Sequence, residues 1–115
     1  MAYEDVNAFV TSAARTTTGN SGAIGLGKSL NVGIMVEVTA QSGTTPTLDF
    51  SVEWSMDGTN FGAAQPVDTF TQFAATTGRA IKLFAVKAPF LRVVWTIAGT
   101  TPSFTFLISR YGVGS

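Results

Sequence analysis

Gly43-Thr44-Thr45-Pro46-Thr47-Leu48-Asp49-Phe50 returns later in the chain as Gly99-Thr100-Thr101-Pro102-Ser103-Phe104-Thr105-Phe106. Each copy follows an apolar, β-like run and opens an alternating one. Before the first copy, Leu30, Val32, Ile34, Val36 and Val38 alternate with Asn31, Gly33, Met35, Glu37 and Thr39. This is the period-2 pattern of a strand with one buried face. After it, Leu48, Phe50, Val52 and Trp54 alternate with Asp49, Ser51, Glu53 and Ser55. The second copy is flanked the same way, by Leu91, Val93, Trp95 and Ile97 before it and by Phe104, Phe106 and Ile108 after it. Read locally, the phrase is the loop of a strand–loop–strand hairpin that the chain builds twice, with Gly allowing the bend and Pro fixing φ.

Working outward, further strands are expected at 8–15, 23–26, 70–75 and 80–84, the last with Ile81 and Leu83 inward against Lys82 and Phe84. The only helical signal is a single turn at 85–88, stopped by Pro89. Asp57-Gly58 supplies a tight turn after Trp54. The surrounding Ser55-x-Asp57-Gly58-x-Asn60-Phe61 is similar to an Asp-box, a structural turn. The expected fold is all-β: a single antiparallel β-sandwich, jelly-roll-like, of about eight strands. It would comprise an N-terminal arm at 1–7, a sandwich domain at 8–111 and a C-terminal tail at 112–115.

The 115 residues suit one domain with its own core. There is no Cys and no His, which excludes disulfides, thiolate metal sites, Cys nucleophiles and the usual general base near neutral pH. No catalytic residue, cofactor site or metal site is expected, and no enzyme. Seven basic and seven acidic residues cancel without a basic patch, which argues against nucleic acid as a partner. No apolar run is long enough to span a membrane, and the acidic start lacks the apolar core of a signal peptide. The expectation is a protein made in the cytoplasm that does not enter a membrane. Charged residues are only 12% of the chain, about half the usual share. So few charges do little to keep copies apart, and part of the surface is expected to be covered by partners.

Glu37, Asp49 and Glu53 face away from the apolar rows of the first expected hairpin, close enough to be considered a carboxylate group. With no pocket or further ligands implied, a solvated or partner-facing surface is the better reading. Arg92 and Arg110 are read as outward-facing and able to pair with these acids across a subunit boundary. Tyr3 and Phe9, in and beside the arm, are candidate interface anchors, as is Tyr111 near the other end. Trp54 and Trp95 are assigned to the core, each offering its indole N–H to a carbonyl.

The succession Ser12-Ala13-Ala14-Arg15-Thr16, 30–39, Ser42 to Leu48, Val52-Glu53-Trp54-Ser55-Met56-Asp57-Gly58 and the run from Leu91 to Phe106 resembles small all-β virion proteins of tailed bacteriophages. The resemblance runs from Ser12 to Ile108 and rests on turn and strand residues. It implies a virion structural protein. A capsid decoration (cement) protein on the outer shell is expected first, with the major capsid protein and further copies of itself, as a trimer or higher homo-oligomer, for partners. A head–tail connector or tail component is the alternative within that class. A carbohydrate-binding β-sandwich is the alternative outside it, with Tyr3, Phe61, Phe84, Phe90 and Tyr111 as the aromatics to consider.

Overall fold

The computed structural model describes residues 7–114 in backbone, with side chains described over 9–112. Seven strands form one hydrogen-bonded antiparallel sheet. They are β1 (Asn7–Arg15), β2 (Gly19–Asn20), β3 (Ile24–Gly25), β4 (Ser29–Ser55), β5 (Phe73–Ala74), β6 (Gly78–Ala85) and β7 (Phe90–Gly114). The all-β antiparallel expectation holds.

The two hairpins do not form. The alternating runs on either side of each Gly-Thr-Thr-Pro phrase do not pair with each other. β4 continues through the first phrase and β7 through the second, and the two long strands pair with one another from Ser29↔Gly114 to Ser55↔Phe90. The phrases meet in the middle of this ribbon, at Thr44↔Thr100, where the register shifts. Each copy bends its strand in the same way. Gly43 has φ 113° and Thr45 φ 47°; Gly99 has φ 121° and Thr101 φ 48°. The contacts are reciprocal. A Cβ on Gly43 would stand 2.7 Å from the Thr101 carbonyl oxygen, and one on Gly99 would stand 2.9 Å from that of Thr45. Glycine is required here because two backbones touch and φ is positive. The merging of these runs is why there are seven strands.

The bend folds the ribbon into two layers, the device by which strands pass between packed sheets. The first layer holds residues 29–42 of β4 and 103–114 of β7, flanked by β1 and β6. The second holds 47–55 of β4 and 90–98 of β7, flanked by β2, β3 and β5. Their inner rows close on each other. Val32, Ile34, Val36, Val38, Phe104, Phe106 and Ile108 of the first layer and Leu48, Phe50, Val52, Leu91, Val93 and Trp95 of the second are all buried. Phe50 meets Phe106 edge-on at 5.0 Å between centroids, and Trp95 meets Phe106 at 5.2 Å. Such pairs add about 0.5–1.5 kcal/mol beyond area burial.

Several local expectations are corrected. On β6 the faces are reversed: Phe84 is buried, while Ile81 is 65% and Leu83 57% exposed. Phe84 packs under Trp54 and Phe70, and this larger ring decides which face turns inward. Leu30, at the end of its row, is 55% exposed. Residues 70–75 contain only the short β5, although Phe73 is buried and Phe70 packs against the core. Residues 85–88 make no helical turn: β6 runs to Ala85, and the Val86 amide donates to the Leu30 carbonyl. At the chain's end, where a tail was expected from 112, β7 stays paired through Gly114.

Candidate functional interface

The outer face of the first layer combines side chains from β4, β6 and β7. Register places Met35 between Ile81 and Ser109, and Gly33 between Leu83 and Tyr111. Because Gly33 has no side chain, the Tyr111 ring lies directly on its backbone; a Cβ there would come within 2.1 Å of a ring carbon. The result is an apolar hollow of about 230 Å³ lined by Gly33, Met35, Ile81, Ser109, Arg110 and Tyr111. Glu37 and Arg79, opposite each other in register and joined as an ion pair, border it. Exposed Ile81 and Leu83 beside half-buried Met35 and Tyr111 make an apolar patch of the kind that marks an interaction surface.

The structure separates the carboxylates that sequence reasoning grouped. Glu37 lies on the first layer, whereas Asp49 and Glu53 lie on the second, where they pair with Thr96 and Arg92. Asp49 accepts hydrogen bonds from Gln72 Nε2 at 3.0 and 3.1 Å. Glu53 accepts from Arg92 at 2.7 and 2.9 Å, and the Arg92 guanidinium also lies 4.3 Å from the Phe61 ring centre. Arg92 therefore pairs within its own chain. Arg110 is not on that outward row. Its register partners are Asn7 and Ile34, the latter fully buried. Its Nε is buried with no hydrogen-bond partner among the described residues. Phe9 packs partly against the core, and Tyr3 lies outside the described residues.

The tryptophans lie inward, but Trp54 Nε1 is buried with no partner among the described residues, against the expectation of a carbonyl acceptor. Of the aromatics weighed for sugar stacking, Phe84 is buried and Phe61 lies under the Arg92 guanidinium, while Phe90 and Tyr111 are half-buried.

The Asp-Gly segment is a structural turn, as read. Asp57 Oδ1 accepts from the amides of Thr59 and Asn60, both at 2.8 Å, and from Ser55 Oγ at 2.9 Å. These bonds, led by those from the Asn60 and Thr59 amides, hold the Asp57 carboxyl well below the usual carboxylate range.

Two features were missed from sequence. Asp68, fully buried in the short 3₁₀ turn Pro66–Asp68, accepts from Lys87 Nζ at 2.5 Å. The pair ties the loop after the second layer to the connection leaving β6. Arg15 donates to the carbonyls of Thr11, Ala13 and Phe106 at 2.9–3.0 Å and lies over the Phe106 and Trp95 rings at 4.4 and 5.4 Å, so one cation caps both layers. Neither has a local sequence signal, since their partners are distant in the chain. Among the described residues no group of three or more His, Cys, Asp or Glu could hold a metal ion. No helix among them is long and apolar enough to cross a membrane.

No family model and no curated protein matches the chain. Solved structures do. The SPBc2 prophage-derived protein YomS aligns over 97% of this chain and 96% of its own, with 12% identity and a TM-score of 0.52. A chain from Bacillus endospore appendages, described as disulfide-linked pili, aligns over 99% of this chain and 88% of its own, with 18% identity and a TM-score of 0.46. The likeness to YomS is one of fold.

Proposed function

We propose that this chain is a structural protein of a phage particle, a capsid decoration protein that sits on the outer shell and bridges neighbouring capsomers. The observation that carries this reading is the apolar outer face around Met35, Ile81, Leu83 and Tyr111. It stands on a fold shared with a prophage-derived protein. A neutral chain with few charges has little to oppose protein contacts through such a face. The partners are the major capsid protein and further copies of this chain, assembled as a trimer or higher oligomer. A modest contact repeated over a shell stabilises it strongly through multivalency. No catalytic role is assigned: the carboxylates of the strands are tied to Arg79, Gln72 and Arg92.

The test is the copy number of the protein in purified particles, by quantitative mass spectrometry against the major capsid protein. About one copy per capsid subunit, or one trimer per local threefold, is the expected result. Copies enough for only one ring would place the chain at the neck or tail instead. Absence from particles would overturn the structural reading.

A further inference from the structure

The two edges of the first layer differ. β1, at one edge, is broken by register shifts between Ala8 and Val10 and between Val10 and Ala13. β6, at the other, keeps one unbroken register against β4 from Asn31↔Ala85 to Val38↔Gly78. The Val86 amide donates to the Leu30 carbonyl, which extends that register by one pair. Hydrogen-bonded pairs alternate along an antiparallel ladder. Phe84, Lys82 and Ala80 therefore turn their backbone groups to β4, and Ala85, Leu83, Ile81 and Arg79 turn theirs away. Among the described residues no strand pairs with that side of β6, and no turn or loop hydrogen bond reaches it.

Natural sheets blunt such edges with proline, bulges or charges. β1 has its bulges; β6 has neither a bulge nor a proline. The two cations of β6 are held by their own chain, Arg79 by Glu37 and Lys82 by the Thr69 carbonyl oxygen, 2.8 Å from Nζ. The open backbone groups include those of Ile81 and Leu83, whose apolar side chains are exposed.

We propose that this edge takes β6 of a second copy, the two strands pairing antiparallel about a two-fold axis. The bulged β1 is a poor partner for a regular edge, which leaves the symmetric contact. Only the odd-numbered residues can bond across the axis, and two registers keep most of the strand paired. One centres on Lys82 and sets the two ammonium-bearing side chains opposite each other, which is unfavourable. The other centres on Ile81: Ile81 meets Ile81, Lys82 meets Ala80 and Arg79 meets Leu83, so no like charges are opposed. This second register is the one assigned. It joins the two first layers into one sheet and runs their apolar outer rows together. The contact goes beyond the proposed function and does not depend on a particle.

Sedimentation of the isolated chain at rising concentration should show monomer passing to dimer; a monomer at every concentration would overturn the proposal. Leu83→Pro removes one outward amide and no bond to β4, as proline on an edge strand permits. Leu83→Thr trims the apolar side chain and keeps the amide. The proline variant should dimerise roughly tenfold more weakly than the threonine variant, since each pairing loses two amide bonds. Equal weakening would mean packing through the faces instead and would overturn edge pairing. Amide hydrogen exchange of the wild type serves if the proline variant does not fold. From dilute monomer to dimer, exchange at Ile81 and Leu83 should slow by about tenfold or more, while Lys82 and Phe84, already bonded to β4, stay as they are. No change at Ile81 and Leu83 would also overturn it. Because no particle is present, failure here leaves the copy-number test untouched, and the reverse also holds.

Discussion

The two layers are built from the same two strands with the same alternation, yet their outer faces differ. In the second layer the outward row carries Asp49, Ser51, Glu53, Arg92, Val94 and Thr96, with a single apolar side chain among polar ones, and the charged members are satisfied within the chain. In the first, the same alternation turns Met35, Ile81, Leu83 and Tyr111 outward around a hollow, with one ion pair at the border. The inner rows are equivalent in kind and account for folding. The outer rows diverge, and folding does not require that divergence. The first layer's outer face is therefore where the proposed contact is placed.

The inner equivalence can be broken first. Phe106→Ala removes a ring that touches both Phe50 and Trp95, at an expected cost of about 3–5 kcal/mol by denaturant unfolding. Phe50→Ala should cost a similar amount, since each ring serves both layers. Next in size is Lys87→Met, which leaves Asp68 buried without its cation. Breaking a buried pair costs about 3–5 kcal/mol, and partial exposure of Lys87 places this case at the lower end.

The bend is sharper evidence for the symmetry of the ribbon. Gly43→Ala and Gly99→Ala each put a Cβ against backbone of the opposite strand at positive φ. Each should cost about 1–3 kcal/mol, and the two values should agree. A large cost at one and none at the other would contradict the reciprocal geometry.

A smaller effect is expected at the Asp57 turn, and it carries a pH signature. The folded-state carboxyl is held below its ordinary value of 3.8, so its contribution is present above that pH and is lost as pH falls toward the folded value. The stability gap between wild type and Asp57→Ala should therefore be constant near neutrality and shrink below about pH 4. A gap independent of pH down to acid unfolding would contradict it.

Sequence made the inner rows plain because period 2 is a local signal, and Val32 to Val38 or Leu91 to Trp95 needed no knowledge of partners. The central connection was not local. Gly and Pro punctuate a hairpin loop and a bend in a continuing strand alike, and only the meeting of the two phrases distinguishes them. β6 was misread for a related reason. Ile81 and Leu83 form one apolar row and Phe84 heads the other, and the choice depends on Trp54 and Phe70 waiting beneath. The candidate interface was hidden by that same inversion, since Ile81 and Leu83 had been assigned to the core. Tyr111 was weighed from sequence as an interface anchor, but Gly33, the seat of that ring, carried no signal beyond alternation.

The central claim is that the first layer's outer face, and not the second's, is what the protein uses. Ile81→Lys with Leu83→Lys should leave unfolding within about 0.5 kcal/mol of wild type, as exposed substitutions do. Ser51→Lys with Thr96→Lys alters the other outer face as a matched control. Measured by co-sedimentation with particles lacking the native protein, the first variant should lose binding at least tenfold while the control binds as wild type does. Binding of the Ile81→Lys, Leu83→Lys variant at wild-type level would contradict the account.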